Sequence, residues 1–378
     1  MAGLIRGEFQ EIISPFLKEK MAEVAATSGY GAPEYKALAL QYQRDPQEVV
    51  VLRHQSSRHY EAVMAPGADG PQPQDGPHLR GVERLYRRTL LVEPTIRCAA
   101  HCRWCIRANY EVADLSPTEL ESVARYAGSP ALRSDITEVL VTGGDPLVTP
   151  KLLRLLVDEL KAHAPNVTTI RIGTRMPFQA PSRVNDTFLA IIRDADPIRV
   201  EIGLHANHPV EFWPETTDAL NAIRDAGATL YNQHPVLAGV NDDGDTLAEL
   251  YEALRAHRIE PHYMFHAAPM RGMEHHRTTV DELLELHRTL TTSGRLSGRT
   301  KPKPALLTDI GKVVLTEGAV IGRDDEGKRL LLRTAYSVED RRRWNPTWTL
   351  PPSAVIGADG RMAVWYQDRK EKPDPSPA

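Results

Sequence analysis

No cysteine lies outside one eight-residue stretch, Cys98-Ala99-Ala100-His101-Cys102-Arg103-Trp104-Cys105, in a chain of 378 residues. Three thiols cannot pair off among themselves, which excludes a self-contained disulfide framework. Long apolar runs are missing too. No stretch of about 18 apolar residues offers a membrane span. An excess of charge is also missing: the net value of −4 carries no footprint for nucleic acid. The first residues, Met1 to Lys20, include acids early and lack the apolar core of a secretory signal, so the expected location is the cytoplasm. Thiols stay reduced there, which suits metal binding. What remains is ordinary for a globular enzyme, with 41% apolar and 25% charged residues and enough length for one large α/β domain or two smaller ones.

The cysteines are spaced C-x3-C-x2-C. They serve two kinds of centre. A structural zinc would take three thiolates plus a fourth ligand, from His101 or a distant histidine. An iron–sulfur cluster also suits soft thiolates, and three ligands would leave one iron of a [4Fe–4S] cube open to a substrate or cofactor.

Along the chain, Glu8 to Lys20 and Ala32 to Tyr42 read as helices, and Asp45-Pro46 breaks the pattern. A proline- and glycine-rich segment, 65–77, reads as a linker. From Thr89 a regular alternation begins. Strands are expected at 89–92, 136–141, 167–172, 198–204, 228–231 and 262–265. Helices are expected at 116–127, 151–163, 186–192, 216–225 and 245–257. Six strands alternating with helices indicate a parallel sheet, closed partly or fully into a barrel. The chemistry of such sheets sits at the strand C-termini. At those ends fall the cysteine cluster, Gly143-Gly144-Asp145, Gly173-Thr174-Arg175, His205-Ala206-Asn207-His208, Asn232-Gln233-His234 and His266, which predicts one active-site mouth.

The cysteine spacing resembles the signature of the radical S-adenosylmethionine (SAM) enzymes, in which SAM chelates the open iron. Further stretches resemble one branch, the lysine 2,3-aminomutase family: Val139 to Leu147, Ile170 to Phe178 with Pro181 and Arg183, Leu204 to Glu211, Tyr231 to Asp242, and Gly272 to Thr278. The resemblance covers roughly residues 84–312. It implies an incomplete (βα)6 TIM-type barrel over 81–300, an N-terminal helical extension with its linker over 1–80, and a C-terminal segment over 301–378 ending in a disordered tail.

By this resemblance Cys98, Cys102 and Cys105 hold a [4Fe–4S] cluster. Gly143, Gly144 and Asp145 form the loop facing the methionyl amine of SAM, with Arg171, His205 and Gln233 as further SAM contacts. Lys312 stands where the family's lysine forms an imine with pyridoxal 5′-phosphate (PLP), and Arg84 and Arg88 match its phosphate-binding arginines. Read alone, Lys312 is also a plausible opening residue for a strand over 312–315. Arg107 matches the residue that binds the substrate α-carboxylate, a group that a guanidinium fork fits with two hydrogen bonds. Asp309 matches one of two aspartates that hold a lysine side chain. The family pattern is departed from in three places. Gly311 alone stands for a longer glycine run, Ala268 replaces the second aspartate, and no cysteine remains for the extra zinc site of some members.

The activity so implied is an amino-acid 2,3-aminomutase, with an electron donor such as flavodoxin or ferredoxin and a homo-oligomeric assembly. One alternative is a PLP-free radical SAM enzyme of the same fold, performing dehydration or epimerisation. Another is a zinc-binding interaction module. Trp344, Trp348, Trp365 and Tyr366 are expected to pack as core, lid or dimer surface.

Overall fold

The computed structural model describes residues 9–49, 79–107, 113–133, 135–270, 272–344 and 348–368. The expected linker at 65–77 and the C-terminal tail lie outside the described residues. The chain opens with helices α1 (Pro15–Ser28) and α2 (Pro33–Tyr42). A strand β1 (Val82–Glu83) then precedes β2 (Thr89–Thr95), α3 (Pro117–Ala127), β3 (Glu138–Gly143) and α4 (Pro150–His163). The alternation continues through β4 (Thr169–Thr174), the short α5 (Met176–Gln179), α6 (Asp186–Arg193), β5 (Arg199–Leu204) and α7 (Pro214–Asp225). It ends with β6 (Thr229–Val236), α8 (Gly244–Ala256), β7 (Glu260–His266), α9 (Val280–Thr292), β8 (Lys303–Thr308) and β9 (Gly311–Val314).

These nine strands form one sheet in chain order, parallel from β2 to β8 and antiparallel at its two edges. The architecture is an incomplete α/β barrel. β8 is a seventh parallel strand, one more than the alternation predicts. Pro304 hides it, because a proline within a run argues against a central strand. A second sheet, β10 (Val320–Arg323), β11 (Arg329–Ser337), β12 (Ala354–Ile356) and β13 (Arg361–Gln367), has the order β10-β11-β13-β12 and carries helix α10 (Val338–Trp344).

Local chemistry sets the helix starts. Helices α1, α2, α3, α4 and α7 each begin on a proline, at the position where a missing N–H costs nothing. Ser116 and Glu119 form a full capping box on α3. The first helix starts at Pro15 rather than Glu8, because the Ser14 hydroxyl accepts the Leu17 N–H at 3.1 Å. Residues 9–14 are thereby freed to run extended beside the cysteine loop.

Strand alternation divides the residues by face. Val139, Val141, Ile170, Ile172, Val200 and Ile202 are buried in the main core. Each such side chain contributes about 1.5–3 kcal/mol by leaving water. Their alternates, Glu138, Arg171, Gly203 and Tyr231, line the inside of the curl, where a Cβ on Gly203 would lie 2.7 Å from the Tyr231 hydroxyl. The polar chamber is therefore built on the face opposite the helices.

Candidate active site

The cysteine loop leaves the end of β2 and is fastened from three sides. Thr95 Oγ1 donates to Asp114 at 2.7 Å, and Arg97 pairs with the same carboxylate at 3.0 Å. The Gly144 and Asp145 N–H groups donate to the carbonyls of Thr95 and Arg97 at 2.7 and 2.8 Å. A Cβ on Gly144 would lie 2.2 Å from the Arg97 oxygen, and Gly143 adopts φ +111° with a similar clash. Both glycines are thus needed for the approach of the two loops. The N-terminal segment forms the third fastening. The His101 N–H donates to the Ile12 carbonyl at 2.8 Å, and buried Arg103 pairs with Glu48 and donates to the Gln10 and Phe9 carbonyls at 3.1 and 2.9 Å.

His101 stacks on Phe9 at 4.7 Å, with Nδ1 2.8 Å from the Gln10 carbonyl, so it is tied to the N-terminal strap. Among the described residues only Glu121, Glu159 and His163 bring three ligand atoms within 4.8 Å of one another. The three cysteine sulfurs are therefore not all within 4.8 Å of one another, and as soft thiolates they suit an iron–sulfur cluster. Burial, then neighbouring Cys102, pushes the Cys105 thiol up to about 11; burial raises Cys98 as well. Cysteine thiols serve as metal ligands only in the ionised form, and iron supplies the positive charge that holds them so.

Asp145 turns inward. Its carboxylate accepts from Thr174 Oγ1 at 2.8 and 2.9 Å and from the backbone N–H groups of Arg175 and Leu147 at 2.9 and 3.1 Å. Arg171 pairs with Glu138 across β4 and β3. His205 lies 3.1 Å from Gln233 and stacks parallel to Trp104 of the cysteine loop, with ring centres 6.1 Å apart. Burial, then Arg175 and Lys312, lowers His205 to about 3, so it is neutral. Three other histidines expected at the mouth are structural. His208 Nδ1 accepts the Val210 N–H at 3.1 Å, His234 meets Tyr251 of α8 at 2.8 Å, and His266 lies between Tyr366 and the Thr278 carbonyl, each at 2.8 Å. Asn232 and His234 lie inside β6, which runs on to Val236; the strand is longer than its apolar run predicts because Pro235 disguises its end.

Lys312 sits on β9, its amine 5.4 Å from the Tyr263 ring centre and 5.6 Å from that of Phe265. Burial first, then Arg171 and Arg107, lowers it to about 8. Arg107 is paired with the fully buried Glu93. Glu83 is raised to about 7 by burial, against the pull of Arg107, Arg341 and Lys312. Arg84 donates to the Tyr126 hydroxyl at 3.1 Å and stacks on Trp344 at 5.1 Å, while its buried Nε has no hydrogen-bond partner. Arg88 is exposed just before β2, at the N-terminal end of the strand. Asp309 accepts from Ser353 of the C-terminal segment, and Ala268 packs in an apolar group with Met270, Met273 and Ile106. Glu83, Glu93, Glu138 and Arg341 were not singled out from the sequence. Glu93 carried a signal, a charge set in a buried parallel strand where apolar residues are the rule.

A parallel, incompletely closed barrel with a three-cysteine loop at one strand end and a glycine-lined neighbour loop defines a class, the radical SAM proteins. The profile of the Radical SAM superfamily matches residues 92–252. A putative L-lysine 2,3-aminomutase of Aquifex aeolicus is 33% identical over 257 residues, 67% of each chain. The L-lysine 2,3-aminomutase of Methanococcus maripaludis is 31% identical over 61% of this chain and 52% of its own. The glutamate 2,3-aminomutase of Clostridioides difficile is 31% identical over 65% of this chain and 62% of its own. The chain thus spans about half to two thirds of these relatives. It belongs to the lysine 2,3-aminomutase-like family of the radical SAM superfamily. Membership implies a [4Fe–4S] cluster, SAM, a small-molecule substrate and a reductant. Among the described residues no helix is long and apolar enough to cross a membrane.

Proposed function

We propose that the chain is a PLP-dependent radical SAM aminomutase that moves the α-amino group of an amino acid other than lysine to Cβ. The observation that carries this reading is Lys312. Its amine lies over the rings of Tyr263 and Phe265 and is lowered to about 8, so about one molecule in ten holds it neutral at pH 7. An ordinary lysine would be neutral about three-hundredfold less often. A neutral buried amine is what covalent capture of an aldehyde needs.

When bound, the cluster with SAM supplies a carbon radical that abstracts hydrogen, and PLP stabilises the neighbouring substrate radical. The chain's own residues do the rest. Cys98, Cys102 and Cys105 would hold the cluster, while Gly143 and Gly144 let backbone approach it closely. Neutral His205 and Gln233 present polar edges beside Trp104. Lys312 is the attachment point for PLP, and the unpartnered Nε of Arg84 is a donor for its phosphate; Arg88, exposed before β2, is left out of that role. Arg107, held by Glu93, would orient a substrate carboxylate. Glu83, with its pKa near 7, can pass a proton close to Lys312.

A lysine substrate is disfavoured on two counts. Asp309 is engaged by Ser353 and Ala268 stands among apolar side chains, so a distal ammonium would be buried underpaired, a costly arrangement. A flavodoxin or ferredoxin would serve as electron donor.

The deciding experiment is borohydride reduction of the anaerobically reconstituted protein with PLP, followed by peptide mass spectrometry. A pyridoxyl group on Lys312 is the expected result. SAM cleavage without that adduct would overturn the proposal in favour of a PLP-free dehydratase or epimerase.

A further inference from the structure

The residues around Cys102 form a buried donor system that none of the roles above uses. Arg175 Nη1 and Gln179 Nε2 each lie 3.2 Å from the Cys102 sulfur. Arg175 follows β4, and Gln179 closes the short helix α5. Both are buried, 6% and 2% exposed, so water does not dilute their effect on the sulfur. Cys105, by comparison, receives a backbone N–H from Arg107 at a longer 3.4 Å.

The donors are themselves held in place. The Arg175 guanidinium is paired with fully buried Glu211 and donates to Gln41 Oε1 at 3.2 Å. Gln41 also accepts from Asn207 at 2.8 Å. The Arg175 guanidinium lies over the rings of Tyr42 and Trp104 at 5.3 and 5.4 Å. Its backbone N–H is bound by Asp145 at 2.9 Å. One arginine is therefore gripped by the N-terminal helix α2, the β5 loop and the Gly-Gly-Asp loop, with one terminal nitrogen left for the sulfur. Two buried donors converging on one sulfur, one of them held by so many partners, go beyond what packing requires.

We infer that Arg175 and Gln179 are positioning residues that set the reduction potential of the cluster through hydrogen bonds to Cys102. Reduction adds one electron, and thus negative charge, to the iron–sulfur core and its thiolates. N–H donors on a thiolate stabilise that added charge and raise the potential. A cationic donor in a water-poor site does so more than a neutral amide. Glu211 tempers the effect by neutralising the guanidinium, so the pair acts mainly through the oriented N–H.

The test is a redox titration of the reconstituted protein with titanium(III) citrate, followed by electron paramagnetic resonance, with iron and sulfide measured on the same samples. Gln179→Met removes one neutral donor and keeps the bulk. Its reduced-to-oxidised ratio at the wild-type midpoint is expected to fall about threefold. The double variant Arg175→Met with Glu211→Gln removes the ion pair together, so that no buried charge is orphaned. Its ratio is expected to fall about tenfold, which is 59 mV for a one-electron couple. Should the double variant fail to fold, Gln179→Met decides alone. A wild-type midpoint in Gln179→Met, with full iron and sulfide, would overturn the inference.

Discussion

The Lys312 N–H donates to the Tyr86 hydroxyl at 3.2 Å, joining residues 226 positions apart. Tyr86 lies between β1 and β2 at one edge of the sheet, and Lys312 lies on β9 at the other. The contact therefore closes the gap that the strands leave open. Tyr336 completes the bridge by donating to the Lys312 carbonyl at 2.9 Å. The residue proposed to carry PLP is thus fixed by both sheet edges and by the C-terminal segment.

Tyr86→Phe deletes that acceptor and leaves the ring. One partly buried hydrogen bond is worth about 1 kcal/mol. Denaturant unfolding should show a loss of about that size, and borohydride trapping at Lys312 should slow. Unchanged stability would mean that the bridge is incidental.

The pH profile of trapping follows from the lowered amine. Attack needs the neutral form, so the rate should rise with pH up to about 8 and level off above it. Below that point it should fall tenfold per unit. Arg171→Gln removes one of the charges that depress Lys312, and the midpoint should move up. A wild-type midpoint near 10.5, the ordinary lysine value, would contradict the burial seen here.

Each of Cys98→Ala, Cys102→Ala and Cys105→Ala should lose the cluster absorbance and reductive SAM cleavage. His101→Ala should keep both, since His101 is occupied by Phe9 and Gln10. Elemental analysis separates the cases: zinc without iron in the wild type, abolished in His101→Ala, would point to a four-ligand zinc site instead.

Glu48→Gln tests the N-terminal strap. Arg103 is fully buried at its side chain and Glu48 is its carboxylate partner. Removing one charge of a buried pair costs about 3–5 kcal/mol. Limited proteolysis should then cut within residues 9–49 sooner, and the cluster should bleach faster in air. Wild-type rates in both assays would show that the strap does not shield the cysteine loop.

Much of the architecture was readable because its signals are local. Apolar periodicity, the Ser116 capping box and the proline helix starts lie within a few residues of what they cause. The cysteine triplet and Gly143-Gly144 are contiguous for the same reason: loop chemistry at such a strand end comes from neighbours in the chain. β8 is hidden in the sequence because Pro304 masks a strand, and Pro235 likewise disguises the end of β6. The sequence puts His234 and His266 at the mouth because polarity alone does not say which face of a strand a residue takes.

By itself, the sequence determined the triplet of thiol ligands, the alternation of six parallel strands with helices, and a strand opening near Lys312. Only the tertiary structure decided the partners. It turned Asp145 inward to Thr174, bound Arg107 to Glu93, sent Arg175 and Gln179 to Cys102, and laid residues 9–14 over the cysteine loop. Those pairings join positions that are mostly distant along the chain and leave no periodic trace in it. They are settled by burial, because each polar group taken out of water must find a partner wherever the fold places one.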